Sequence, residues 1–141
     1  MTDEGQYDSG VGGEPEVDEA QLAREQALFE IGFFEGVLEG TPGWVDVLRV
    51  LWHDYTLVGR YDDGLGVDRK LVGLCPNDAI AHYNLACSLS LVGESGEAVS
   101  ELHRAVRLGY RDWRHMERDS DLANIREHPA YISLMRRLKE G

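Results

Sequence analysis

The chain has 141 residues, 43% of them hydrophobic, and a formal net charge of −12. That is the length of one domain with room for a real core. An acidic surface repels phosphate backbones, so nucleic acid is excluded as the expected partner. No apolar run approaches the ~20 residues that cross a bilayer, and no membrane role is expected.

Residues 1–18 are polar, Gly-bearing and aperiodic. They bury too little apolar surface to offset the entropy of ordering, and are expected as an acidic disordered tail preceding a folded domain over 19–141. The first twenty residues hold seven acids and no Lys or Arg. This N-terminus is the opposite of a secretory or transit signal. Cys75 and Cys87 make neither a disulfide framework nor a zinc site, so a cytoplasmic protein is expected.

From Glu19 to Leu38 the apolar period is helical, with Ala23, Ala27, Ile31, Phe34 and Leu38 on one face. Gly40, Thr41 and Pro42 end this helix. A second helix carries Leu48, Leu51, Trp52 and Tyr55, and a third, from about Tyr61 to Leu74, carries Leu65, Leu71 and Leu74. Asn77 and Asp78 stand as caps before a fourth helix. There Leu85, Ala86 and Leu89 face Ala98, Leu102 and Ala105 of a fifth, across a turn at Gly93. Beyond Leu108 the pattern decays. Short helices are expected over Trp113–Glu117 and Asp121–Arg126, and a last one starts at His128-Pro129 with Pro at its first position.

The skeleton repeats after 34 residues. Leu51 matches Leu85, Leu57-Val58-Gly59 matches Leu91-Val92-Gly93, Gly64 matches Ala98, and Pro42 matches Pro76. In this spacing and these residues the chain resembles the tetratricopeptide repeat (TPR) family, a helix–turn–helix unit that stacks into a solenoid. The resemblance covers roughly residues 20–141 and is most specific over 44–108. It implies an all-α superhelix with an N-terminal capping helix, two full repeats and a degenerate C-terminal repeat. The capping helix is then the second helix of an incomplete leading repeat.

Two positions depart from the family pattern. Trp52 replaces a small residue opposite Gly64, which reads as a large-for-small exchange conserving volume. Asp68 takes a position that is normally large and apolar. If buried it needs a partner, which His82 on the next helix is placed to supply. The alternative is an exposed Asp68 on a slightly rotated helix.

The resemblance implies a concave groove lined by the first helix of each repeat. By register the groove holds Arg49, His53, Tyr83, Asn84, Cys87, Arg114 and Arg118, with Val50, Leu57 and Ile80 among its apolar members. Co-chaperones of this family grip acidic C-terminal tails with a carboxylate clamp. Carried over by position, the clamp falls on Arg49 and His53, Asn84, and Arg114 and Arg118, with His53 where the clamp has Asn. Arginines suit this chemistry because they give charge-assisted, bidentate bonds to carboxylates.

Catalysis finds little support. The five histidines show no HxxxH or HExxH spacing, so no metal is expected. Cys87 and His53 sit one repeat apart, but a small groove residue that happens to be Cys is the simpler reading. Tyr61-Asp62-Asp63-Gly64 lacks the alternating ligands of a calcium loop, and Gly64-Leu65-Gly66 follows no strand. The expected function is therefore non-catalytic binding of a peptide or helix of a protein partner, without cofactor. The runner-up is structural self-association as a homodimer, since a short array leaves apolar ends for a second copy. An enzyme or metal binder comes third.

Overall fold

The computed structural model describes residue 13 and residues 15–141. Residues 13 and 15–18 are exposed and non-helical; the remainder of the expected tail lies outside the described residues. Among the described residues seven α-helices run in order: α1 (Glu19–Gly40), α2 (Val45–Leu57), α3 (Tyr61–Leu74), α4 (Ala79–Leu91), α5 (Ser95–Arg107), α6 (Trp113–Arg118) and α7 (Pro129–Glu140). A 3₁₀ turn, Ser120–Ile125, separates the last two. The described residues include no strand. The all-α array of helical hairpins expected from the repeat is the architecture observed.

The period runs further than the residues suggest. First helices begin at 45, 79 and 113, and second helices at 61, 95 and 129. The C-terminal repeat thus keeps the 34-residue step, although its first helix is divided into α6 and the 3₁₀ turn. Residues 27–40 of α1 are the positions of α3 shifted back by one period, so α1 is the second helix of an incomplete leading repeat, extended to Glu19.

The turns explain the hairpins. Val58 and Val92 both hold φ −92°, ψ 3°, and the glycines after them take positive φ, 81° at Gly59 and 87° at Gly93. The next amide reaches back over the helix end, Arg60 N to Tyr55 O at 2.8 Å and Glu94 N to Leu89 O at 2.9 Å. This is the Schellman closure, which satisfies otherwise orphaned carbonyls and favours Gly at the left-handed position. At the other end, the Asp78 carboxylate caps α4 by accepting from Ile80 N (2.9 Å) and Ala81 N (3.4 Å). His128 caps α7 in front of Pro129.

First helices lie side by side and point the same way. Arg49 near the start of α2 pairs with Asp78 at the start of α4 (2.9 Å), and further along Trp52 Nε1 donates to Ser88 Oγ (3.1 Å). The core sits mainly in the second full repeat and the C-terminal elements beyond it. Leu85, Ala86 and Leu89 of α4 pack with Ala98, Leu102 and Ala105 of α5, and with Met116, Leu122, Ile125 and Leu134. A smaller core joins α1 to α2 through Ile31, Val47, Leu51 and Tyr55.

Both departures from the repeat pattern take a different form from the one expected. The Trp52 indole does reach Gly64, but a Cβ there would stand 3.9 Å from it, an ordinary contact. The exchange therefore leaves room for a methyl. Asp68 is fully buried, yet its partner is not His82. Ser88 Oγ donates to Asp68 Oδ2 at 2.5 Å, which completes a relay from Trp52 through Ser88 to Asp68 across three helices. His82 turns the other way, its ring nitrogens meeting Glu101 Oε2 (2.7 Å) and Pro76 O (2.8 Å). Without a cation beside it, Asp68 is held neutral: burial pushes its pKa up to about 8.

Asp119 breaks the third first-helix. It occupies the position of Leu51 and Leu85 one period on, and its extended backbone (φ −76°, ψ 108°) ends α6. Its Oδ1 then caps the 3₁₀ turn through Asp121 N (3.0 Å). The carbonyls freed at the break are gathered by Arg126, which donates to Glu117 O (2.5 Å), Asp119 O (2.6 Å) and Met116 O (3.2 Å). A cation at a helix C-terminus is where the peptide dipoles favour one.

Candidate functional site

The face formed by α2, α4 and α6 is where register places the groove residues. The structure divides them. Tyr83 and Cys87 are covered, with 4% and 1% of their surface exposed. The Tyr83 hydroxyl donates to Asp119 Oδ2 at 2.6 Å, and its ring stacks on Tyr110 with centroids 4.5 Å apart. Cys87 Sγ lies 3.6 Å from the same carboxylate oxygen. The 3₁₀ turn closes over α4 beside them, where Asn124 Nδ2 donates to Ser90 O at 2.9 Å. Register put Tyr83 and Cys87 on the open groove; the cause of the difference is Asp119, a polar residue at an apolar position that draws both side chains inward.

The other candidates stay at the surface. Arg49 is exposed but paired with Asp78. Arg114 lies against the Trp113 ring, 4.7 Å from its centroid, and Arg118 is exposed on the same helix. His53 lines a shallow cleft between α1 and α2 with Gln26, Glu30 and Asp54. Asn84 is half-buried and borders a cavity of about 520 Å³ between the start of α4 and the turn from α5 to α6. Ile80, Tyr83, Tyr110 and His115 complete its wall, and Ile80 is 51% exposed there.

Electrostatics limit what this face can do. Burial first, and then the Asp119 and Asp121 carboxylates, push the Cys87 thiol well above its ordinary pKa. That leaves it a protonated thiol rather than a nucleophile. Cys87, Asp119 and Asp121 bring three ligand atoms within 4.8 Å of one another, a grouping the sequence spacing did not reveal. Both Asp119 oxygens are already engaged, Oδ2 by Tyr83 and Cys87 and Oδ1 by Asp121 N. The second acidic cluster is Asp54 with Glu30. Burial, and then the Glu30 carboxylate, push Asp54 up to about 7, and Glu30 falls because Asp54 shares its proton with it.

No family model matches the chain. It is similar to a chloroplastic protein of Arabidopsis thaliana, 27% identical over 86 residues. The match covers 59% of this chain and about a quarter (26%) of that protein. Among solved structures it is similar to MamA, with a TM-score of 0.66 and 22% identity over 89% of this chain and 73% of that one. The MamA likeness shows the fold, a TPR-like helical solenoid. No helix among the described residues is long and apolar enough to cross a membrane.

Proposed function

We propose that the chain is a non-catalytic protein-interaction scaffold that receives a peptide or helix of a protein partner on the face of its first helices. The observation that carries this reading is the cavity of about 520 Å³ beside Asn84, with the half-exposed Ile80 at its mouth. An apolar anchor of a partner enters there, and Asn84 holds its backbone. Arg118 and Arg114 stand on the adjoining helix and suit a ligand with an acidic C-terminal tail. Arg49 joins only by leaving Asp78, and His53 serves α1 as much as the groove, so the clamp is reduced to Asn84, Arg114 and Arg118.

The test is fluorescence anisotropy with labelled peptides that end in acidic residues, alongside the same peptides with an amidated C-terminus. Asn84→Ala and Arg118→Ala are each expected to weaken binding about tenfold, the ~1.4 kcal/mol of one hydrogen bond. Equal binding by wild type and both variants refutes the groove. Equal binding of free and amidated peptides refutes the carboxylate preference alone.

A further inference from the structure

Charge is sorted along the array. α1 carries five glutamates against one arginine, whereas nine of the fourteen Lys and Arg lie between residues 104 and 139. Helix contacts put these at opposite ends: α1 packs on α2, and α7 packs on α5 and α6. Each end also carries unfinished apolar surface. On α1, Phe29 and Phe33 are 72% and 56% exposed. Their rings stack with centroids 6.3 Å apart, and Leu22 continues the stripe two turns earlier. Bare aromatic surface of this kind is rare on a chain that stays alone. At the other end a cavity of about 600 Å³ opens on α7, walled by Tyr131, Ile132 and Met135 and rimmed by Arg126, Arg136 and the Lys139–Glu117 ion pair. The Tyr131 hydroxyl is buried there without a hydrogen-bond partner among the described residues.

We propose that a second copy of this chain docks head to tail, its Phe29–Phe33 stripe seated in the α7 cavity of the first. Charge chooses this occupant. Two α1 faces laid together would oppose glutamate to glutamate, while α1 on α7 sets glutamates against Arg136, since Lys139 is paired with Glu117 and Arg126 with backbone carbonyls. The contact joins different patches, so it does not close with two chains and propagates as an open row or a ring. It leaves the first-helix face uncovered, so it stands or falls separately from the peptide groove.

The experiment is sedimentation velocity of the full chain at rising concentration, in low and high salt, with circular dichroism to verify folding. Wild type is expected to grow past the dimer at low salt and to shrink as salt screens the rims. Phe29→Asp and Ile132→Asp each change an exposed side chain and are each expected to remain monomeric. Mixed in equal amounts they retain one good face apiece, and are expected to form a dimer of twice the 15.8 kDa chain mass that does not grow further. Arg136→Glu is expected to weaken assembly with the fold intact. Wild type that stays monomeric, a mixture that stays monomeric, or Phe29→Asp acting while Ile132→Asp and Arg136→Glu do not, each overturns the proposal. So does association that appears only when residues 1–12 are removed.

Discussion

Asp68 makes the stability of this fold depend on pH in a calculable way. Its carboxyl is buried between α2, α3 and α4, accepts from Ser88, and has no cation beside it, so burial holds its pKa near 8. An unfolded carboxyl titrates near 3.9. Between those values the folded chain keeps a proton that the unfolded chain has released. Stability is therefore fully present below about pH 4 and is lost as pH rises through about 8. The loss approaches ~1.4 kcal/mol per pH unit, or roughly 2.5 kcal/mol from pH 5 to pH 7. Asp54, pushed up to about 7, adds a loss of the same sign over a lower window. Asp68→Asn isolates the first term, because the amide oxygen still accepts from Ser88 but nothing titrates. Urea unfolding followed by tryptophan fluorescence, at constant ionic strength, gives both curves. The stability of wild type relative to Asp68→Asn is expected to fall by about 2.5 kcal/mol across that interval. Two parallel curves would refute the neutral buried carboxyl.

Other perturbations bear on the array itself. Gly64→Ala places a methyl 3.8 Å from Tyr55 Cβ and 3.9 Å from the Trp52 ring, and is expected to raise stability by ~0.5–1 kcal/mol, measurable by the same unfolding assay. Arg126→Met leaves Glu117 O without its donor and removes one of the two donors at Met116 O and Asp119 O; a loss of about 1 kcal/mol is expected, with amide exchange fastest over 116–125. In native protein a maleimide is expected to label the half-buried Cys75 and to spare Cys87 until denaturant is added. Native labelling of both refutes the closed cover over Cys87.

Much of the fold is legible because its signals are local. Gly59 and Gly93 are forced by positive φ, Asp78 by unpaired amides, and the apolar face of each helix by its period. The third hairpin is obscured at one residue, Asp119, which stands where the pattern wants Leu and takes its meaning from Tyr83, 36 positions earlier. The groove suffers for the same reason. Register tells which side of a helix Tyr83 and Cys87 occupy, but not that a distant carboxylate will cover them. Asp68 and His82 show the limit again. Asp68, if buried, is expected to need a partner and His82 to supply it, yet Asp68 meets Ser88 and His82 meets Glu101, through side-chain orientations that no spacing records. The charge sorting between α1 and α7 is present in the residues, and becomes meaningful only once those helices stand at opposite ends.

The chain of donors from Trp52 through Ser88 to Asp68 crosses the border between neighbouring repeats. Idealised arrays can be lengthened, shortened or shuffled because each module meets its neighbour through oil alone. Here a module cut away would strand a hydroxyl on one side or an acid on the other. The two hairpins are wedded, and are expected to melt as one body.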